Sequence, residues 1–342
     1  MSKQITNQIM LITYADCMGD NLKDLDFVLS HYLQGAVGGL HILPFFPSSG
    51  ERGLAPLTYK EVVPAFGKGE DGLSLADRYY MMYDYMINHL SAESDIYKDF
   101  LAKKDDSKYR DFFIRYKDFW PENEPTPEQI SKIYLRREVP YIDAQFADGT
   151  TERLWCTFSP TQIDINCLGS ETAREFMIDN LRFLSQHGAS LIRLDALAYA
   201  TKRRNTNCFF VEPEIWKLID QCRQALEGTD SEILPEIHEN YFIQKKLEER
   251  RMSRQVKLVQ INEDSRITTN HFQVGFFNTI HSIPDSLGIL INTPNGRIVE
   301  TGDFKFALTP IGTNSDYQKM AYIGQIGVSL LMSDSTNSEV SG

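Results

Sequence analysis

Two acidic residues, Asp195 and Glu236, each stand at the end of an apolar run that is typical of a buried strand. Displacing a group at a sugar's anomeric carbon with retention needs a carboxylate nucleophile and a protonated carboxyl, about 5–5.5 Å apart. Neighbouring strands of a parallel sheet can place two carboxyl groups at that separation. Acidic residues are common at strand ends, however, so the pair alone does not establish this chemistry.

Two basic side chains favour the same interpretation. Arg193 precedes Asp195 by two residues, which places both on one face of a strand, where the guanidinium charge favours an ionised aspartate. His89 follows Asp84 and Asn88 at the end of an earlier predicted strand, and a neutral imidazole there could donate to a sugar hydroxyl. A lone histidine is more often part of a core. Beside Arg193, Asp195 and Glu236, a binding role for His89 is favoured.

The first 240 residues must position these side chains, and they alternate between strand-like and helix-like patterns. The predicted strands cover residues 10–14, 39–43, a run ending at 87, 190–195 and 233–236. Apolar residues recur at helical spacing in three stretches: Leu22, Leu25, Leu29 and Tyr32; Phe176, Met177, Leu181 and Leu184; Ile215, Ile219, Cys222 and Leu226. Repeated strand–helix–strand units predict a parallel sheet, and polar residues at its strand ends are typical of a (β/α)₈ barrel.

Residues of about 94–165 interrupt this alternation with an aromatic and charged stretch. It contains a capping box, Thr126-Pro127-Glu128-Gln129, which predicts the start of a helix. A long excursion between a third and a fourth strand predicts a small inserted subdomain.

The last third of the chain has a different character. Its predicted strands are short, covering residues 256–261, 272–280, 287–293 and 297–300, and Pro294-Asn295-Gly296 predicts a hairpin turn. All five cysteines and all three tryptophans precede residue 223. A charged run follows at residues 245–254, and we place a domain boundary near residues 246–255.

The composition excludes several classes of protein. The 342 residues carry a formal net charge of −12, which disfavours a protein that wraps nucleic acid or an anionic membrane. No run approaches the roughly 18 apolar residues of a membrane span, and the N-terminus lacks a signal peptide's apolar stretch. The cysteines are odd in number, scattered, and form no C-x-x-C pair, which predicts a reduced, cytoplasmic protein.

Residues 8 to about 245 resemble the sucrose phosphorylase branch of the alpha-amylase superfamily, glycoside hydrolase family 13. The resemblance is carried by residues 11–16 (LITYAD), 41–47 (HILPFFP), 84–89 (DYMINH), the strand ending at Asp195, and 234–238 (LPEIH). It implies Asp195 as nucleophile, Glu236 as general acid/base, and Arg193 and His89 as glucose-site residues. It further implies substrate contacts for Tyr59, Trp155, Phe158 and Gln162. Separately, phosphate needs a cationic contact, and Arg136 and Arg137 in the excursion are candidates for it; a pair of surface arginines is the alternative.

The reaction implied by this resemblance is a double displacement that converts a sucrose-like disaccharide and inorganic phosphate to glucose 1-phosphate and fructose. It requires no metal or organic cofactor. The chain departs from the family at Thr58, where relatives carry an aspartate before an aromatic residue. It also has no His-Asp dipeptide after Glu236, although the family uses one to support the transition state. We therefore expect impaired activity.

The chain from about Leu247 onward resembles part of the metallo-β-lactamase core of ribonuclease J. The matching segments are residues 279–286 (TIHSIPDS), 301–306 (TGDFKF) and 333–339 (SDSTNSE). The resemblance implies His281 and Asp303 as metal ligands, and zinc suits both. The family's H-x-H-x-D-H cluster is absent, since no His-x-His occurs in the chain. Zinc is expected only if this fragment is functional, and we interpret the two ligands as vestigial.

Together these patterns predict an α/β protein: an incomplete (β/α)₈ TIM barrel over residues 1–245, followed by an α/β fragment of a metallo-β-lactamase core over 247–342. The main hypothesis is a sucrose phosphorylase-like glucosyltransferase, impaired because the last barrel strands are missing. A zinc-dependent RNase fragment and a non-functional chimera or assembly artefact are the alternatives. We expect neither a membrane nor a nucleic acid as partner, and the sequence leaves the oligomeric state open.

Overall fold

The computed structural model of the chain describes residues 9–120, 124–237, 259–280, 286–304 and 316–333. Two compact units, Met1–His238 and Glu239–Gly342, divide the chain. The predicted boundary at residues 246–255 lies outside the described residues, as does His281.

Strands and helices alternate through much of the first unit. In chain order its strands and helices are β1 (Met10–Thr13), α1 (Leu22–His31), β2 (Gly39–Ile42), α2 (Gly69–Ala76), β3 (Tyr80–Met86), β4 (His89–Ser91), α3 (Asp95–Lys103), α4 (Tyr116–Phe119), α5 (Pro127–Lys132), β5 (Tyr141–Gln145), β6 (Thr151–Trp155), β7 (Gln162–Asp164), α6 (Glu171–Gln186), β8 (Leu191–Asp195), α7 (Glu214–Ala225) and β9 (Glu232–Pro235).

A five-stranded sheet in the order β1-β2-β3-β8-β9 forms the centre of this unit, and each described pairing in it is parallel. The predicted parallel sheet is therefore confirmed. All four residues of β2 are buried, as are the last six of β3, as expected for strands covered on both faces. The carboxyl ends of β3, β8 and β9 consequently meet at one edge of the sheet.

The helices pack on the sheet through the apolar faces visible in the sequence. Leu22, Leu25 and Leu29 of α1 are fully buried, whereas Tyr32 lies just beyond the helix and is exposed. The Ser170 hydroxyl caps α6 by accepting from the Ala173 N–H. Throughout the described ranges, no helix is both long and apolar enough to cross a membrane.

A long stretch between β3 and β8, here called the inserted region, departs from the strand–helix alternation. It contains an antiparallel hairpin, β5–β6, and a strand, β7, that pairs antiparallel with β4. The predicted capping box at α5 is confirmed, because the Thr126 hydroxyl accepts from the Gln129 N–H while the Gln129 side chain accepts from the Thr126 N–H. Trp120 and Trp155 are each 1% exposed and centre a small core of this region.

The second unit has its own mixed sheet. Its strands are β10 (Arg266–Thr268), β11 (Gln273–Asn278), β12 (Leu287–Thr293), β13 (Gly296–Glu300) and β14 (Leu330–Met332), paired in that order, with a helix, α8 (Tyr317–Gln325), before β14. The pairings from β10 to β13 are antiparallel, and β14 lies parallel to β13. The hairpin turn predicted between β12 and β13 is confirmed. The part of the predicted 256–261 strand that is described, residues 259–261, is not a strand.

Candidate active site

The candidate site lies at the carboxyl ends of β3, β8 and β9. In the sheet register Asp84 lies opposite Arg193, and Met86 lies opposite Asp195. Glu236 directly follows β9, and its N–H extends the ladder by donating to the Leu194 carbonyl oxygen at 3.1 Å. The two predicted carboxylates are therefore neighbours because their strands are neighbours, and residue alternation keeps Arg193 on the face of Asp195.

One guanidinium joins three carboxylates at this edge. Arg193 Nη1 donates to Asp84 Oδ1 at 2.6 Å and to Asp195 Oδ1 at 2.9 Å. Arg193 Nη2 lies 2.6 Å from Glu236 Oε1. The Asp195 and Glu236 side chains are also hydrogen-bonded to each other and are only 16% and 17% exposed. Asp84 is fully buried and was noted in the sequence only as part of a strand ending, without a predicted role in the site.

A second hydrogen bond fixes Glu236 from the strand that carries Asp195. The backbone N–H of Ala196 donates to Glu236 Oε2 at 3.1 Å. Ala196 adopts a left-handed conformation, with φ of 56° and ψ of 25°, which costs a residue with a Cβ roughly 1–2 kcal/mol. Such strain is common at functional sites. No sequence pattern indicated this contact.

The electrostatics of the pair differ from the sequence expectation. Burial, and then the negative charge of Glu236, raise the pKa of Asp195 to about 7. The Arg193 guanidinium lowers the pKa of Asp195, as the sequence predicted, but the other two effects are larger. Below about pH 7 the pair therefore retains a proton, so that one carboxyl is neutral beside one carboxylate.

His89 begins β4, shortly after β3 ends, and the residue is only 2% exposed. Its Nε2–H donates to the carbonyl oxygen of Leu54 at 2.9 Å, and burial lowers its pKa, so the ring is neutral near pH 7. The Gln162 amide also donates to the Leu54 oxygen, at 2.7 Å. Because the imidazole N–H is already used, His89 can donate to a sugar hydroxyl only after its bond to Leu54 breaks.

Three predicted aromatic contacts lie at different depths. Phe158 is half-buried and touches the rings of His89 and Tyr199 edge-on, with centroids 5.5 and 5.0 Å away. Tyr59 is only 1% exposed, and its hydroxyl accepts from the Met86 N–H at 3.0 Å. Burial raises the pKa of Tyr59 well above its usual range. Trp155 belongs to the core of the inserted region, so Phe158 is the most accessible of the three.

A buried ion pair that the sequence did not predict lies between β7 and the segments that follow β3 and β8. Lys202 Nζ lies 2.6 Å from Asp164 Oδ2, and the two side chains are 3% and 0% exposed. The ammonium also donates to Asn88 Oδ1 and to the Tyr199 carbonyl oxygen, at 3.2 and 2.7 Å. The Asp164 carboxylate further accepts from the Thr157 N–H and hydroxyl. This network ties the segment after β8 to β7 and to the end of β3.

The two predicted phosphate-binding arginines lie in different surroundings. Arg136 is exposed and hydrogen-bonds to Tyr199, whose ring also experiences the charge of Glu236. Arg137 donates instead to the Tyr141 carbonyl oxygen at 3.2 Å and to Cys156 Sγ at 3.0 Å. Arg136 is therefore the more accessible arginine of the pair.

The metal ligands implied for the second unit are not brought together in the described structure. Asp303 is exposed shortly after β13, and His281 lies outside the described residues. Within the part of the chain that is described, no group of three or more His, Cys, Asp and Glu side chains could hold a metal ion.

Comparison with known proteins identifies relatives of the first unit. The family model of the alpha amylase catalytic domain matches residues 8–282. The sucrose phosphorylase of Streptococcus mutans serotype c is 49% identical over 244 residues, which are 71% of this chain and 50% of that protein. The sucrose 6(F)-phosphate phosphorylase of Thermoanaerobacterium thermosaccharolyticum is 40% identical over 251 residues, 72% of this chain and 51% of that protein.

A solved structure of a phosphorylase is also similar to this chain. The crystal structure of sucrose 6F-phosphate phosphorylase from Thermoanaerobacter thermosaccharolyticum superposes with a TM-score of 0.67 and 40% identity, covering 72% of this chain and 51% of that one. The chain thus spans about half the length of the relatives it matches.

Proposed function

The chain belongs to the alpha-amylase family and has its TIM-barrel-like α/β fold, and from this premise we propose that its first unit is a sucrose phosphorylase-like glucosyltransferase. The donor is a sucrose-like disaccharide and the acceptor is inorganic phosphate. One observation carries the proposal: Arg193 holds Asp195 and Glu236 side by side at the ends of adjacent parallel strands. Retaining transfer requires the proton of this pair on Glu236, an ionised Asp195, and carboxyl groups about 5–5.5 Å apart. The direct hydrogen bond between the two side chains must therefore open when the sugar enters.

The proposed first step breaks the glycosidic bond. Asp195 attacks the anomeric carbon while the Glu236 carboxyl gives its proton to the bridging oxygen, and fructose leaves as a neutral alcohol. The product is a glucosyl ester of Asp195. Arg193 lies against Asp195 Oδ1 and Glu236 Oε1, so it keeps each carboxyl group oriented as charge moves between them.

The proposed second step reverses the first with another acceptor. A phosphate oxygen attacks the anomeric carbon, Glu236 accepts the proton of that phosphate hydroxyl, and the ester bond to Asp195 breaks. Two inversions give glucose 1-phosphate with the donor's configuration. We assign Arg136 the role of phosphate contact, because it is exposed and hydrogen-bonds to Tyr199, whereas Arg137 is bonded within the inserted region.

The rate of this reaction is proposed to be low. A closed barrel of this class has eight parallel strands, whereas the described part of the first unit has a parallel sheet of five. The incomplete barrel, without the closing strands and the stabilising aspartate of the family, stays a prediction from the sequence. The second unit as a metallo-β-lactamase fragment, with zinc at His281 and Asp303, stays a prediction from the sequence, as does the chimera alternative.

The test measures glucose 1-phosphate formed from sucrose and phosphate by the purified chain, beside the Streptococcus mutans relative. We expect slower formation than in the relative, with loss of product in Asp195→Ala. The matched control is Asp220→Asn, which changes an exposed aspartate on α7 and should leave the rate unchanged. A folded chain that gives no glucose 1-phosphate would contradict the proposal, as would product that persists in Asp195→Ala.

A further inference from the structure

A buried histidine, His41, connects to the candidate site through a second charged residue. His41 lies on β2 opposite Met82 of β3, and Asp84 follows Met82 by two residues, so both side chains project from the same face of the sheet. His41 Nε2 lies 2.9 Å from Asp84 Oδ2, and the two side chains are only 5% and 1% exposed. The contact links the second and third strands beneath the carboxylates.

Asp84 has a separate partner for each of its carboxylate oxygens. Oδ1 accepts from Arg193 at 2.6 Å, and Oδ2 faces His41. A buried carboxylate oxygen that loses its donor keeps the full cost of desolvation, so the aspartate would rotate or draw in water. His41 therefore determines the orientation in which Asp84 meets Arg193.

The tautomer of His41 follows from its surroundings. Because Asp84 is an acceptor, Nε2 must carry the proton in this contact. Nδ1 is buried and has no hydrogen-bond partner among the described residues. His41 thus serves as the hydrogen-bond donor to Asp84 Oδ2.

We infer that His41 is a positioning residue for the proposed glucosyl transfer: it orients Asp84, which fixes Arg193 against Asp195 and Glu236. It touches neither of the two reacting carboxyl groups in the hydrogen bonds of the described structure. The inference rests on the proposed function, since the reaction gives Arg193 its role. It adds a residue on β2 to a site otherwise built from the ends of β3, β8 and β9.

The test uses a readout that does not require turnover. Asp195→Asn is introduced into the full chain and into each His41 variant, and unfolding in urea is followed by tryptophan fluorescence from about pH 5 to about pH 9. The free energy of unfolding of each protein is compared with that of its Asp195→Asn form, and the difference depends on pH. The pH midpoint of that dependence reports how strongly Arg193 favours ionised Asp195. Loosening Arg193 raises this midpoint, because the guanidinium lowers the pKa of Asp195.

Three His41 variants separate the hydrogen bond from the volume of the side chain. Gln can place an amide N–H near the position of Nε2, whereas Leu has no donor and Asn is too short to reach Asp84 Oδ2. We expect His41→Gln to keep the wild-type midpoint, and His41→Leu and His41→Asn to raise it by on the order of one pH unit. If His41→Leu does not fold, His41→Asn decides the result.

The matched control is Ile42→Ala, which disturbs the neighbouring buried residue on the opposite face of β2. Ile42→Ala should lower the free energy of unfolding and leave the pH midpoint unchanged. If both donor-less His41 variants only lower stability, as Ile42→Ala does, the inference is wrong.

Turnover then separates this inference from the proposed function. If the chain forms glucose 1-phosphate, His41→Leu should lower kcat by on the order of 10²-fold with a smaller change in KM. An inactive chain with a shifted midpoint supports the positioning of Arg193 by His41 and contradicts the proposed function. An active chain with an unchanged midpoint supports the proposed function and contradicts the positioning role of His41.

Discussion

The Asp195→Asn substitution should make the first unit more stable at alkaline pH. Burial and the charge of Glu236 raise the pKa of Asp195 from 3.8 to about 7. Between these values the folded protein binds more protons than the unfolded chain, so stability falls as the pH rises through this window. Asparagine has a similar shape but cannot lose a proton and become charged, so it avoids this decrease in stability.

The size of the effect follows from the pKa shift. A rise of about three pK units, at about 1.4 kcal/mol per unit, corresponds to about 4 kcal/mol above pH 7. The amide oxygen of asparagine retains an acceptor for Arg193 but loses a charge-assisted hydrogen bond. We therefore expect Asp195→Asn to raise the free energy of unfolding by about 2–4 kcal/mol at about pH 8, and by less than about 1 kcal/mol near pH 4.

The assay uses the distribution of tryptophans along the chain. Trp120, Trp155 and Trp216 all belong to the first unit, so their fluorescence in urea reports its unfolding without a contribution from the second. Asp220→Asn is the control, since it removes an exposed carboxyl on α7 and should change little at either pH. Equal or lower stability of Asp195→Asn at about pH 8, or an equal gain at both pH values, would refute the reasoning.

Three further predictions concern groups around the same pair. Glu236→Gln should raise the free energy of unfolding of the first unit at about pH 8, because Asp195 then ionises without a neighbouring charge. It should also slow glucosyl transfer by about 10²–10⁴-fold. A lower free energy of unfolding at about pH 8 would contradict this prediction. Lys202→Met leaves Asp164 buried and unpaired, and should lower the free energy of unfolding by about 3–5 kcal/mol in the tryptophan assay, whereas an unchanged value would show that the pair contributes nothing. Thr126→Ala removes the cap of α5 and should cost about 1 kcal/mol; Thr126→Ser should restore most of it.

The arrangement of the reacting pair could be predicted from the sequence because it depends on strand order. Apolar runs and helical spacing identify the parallel units, and the ends of adjacent strands bring Asp195 and Glu236 together. The two-residue alternation along β8 then places Arg193 beside Asp195. Each of these features is a pattern among nearby residues, so one sequence is enough to predict it.

Contacts that depend on an unusual backbone conformation or on residues far apart in the chain could not be predicted from the sequence. The Ala196 bond to Glu236 requires a left-handed residue that is not glycine, and nothing in the sequence indicates that conformation. The Lys202 contact with Asp164 joins positions 38 residues apart, with α6 and β8 between them in the chain. Burial of Asp195 also outweighs the neighbouring arginine, and only the packed structure shows that balance.

The second unit illustrates a different limit. Its hairpin between β12 and β13 follows directly from the turn residues. Helix α8 was missed because it is short, with only Ile323 buried in the described structure. A weak apolar face of this kind is hard to distinguish from a loop.

The most direct measurement of the proposed chemistry is the mass of the Glu236→Gln chain after incubation with α-glucosyl fluoride. Fluoride leaves without a proton, so the first step needs no general acid, whereas the second step lacks its base and the intermediate accumulates. We predict a mass increase of one glucosyl group, mapped by peptide digestion to Asp195 and absent from the Asp195→Ala, Glu236→Gln double variant. A folded Glu236→Gln chain that gains no glucosyl group, or carries it on another residue, would contradict the assignment of Asp195 as nucleophile.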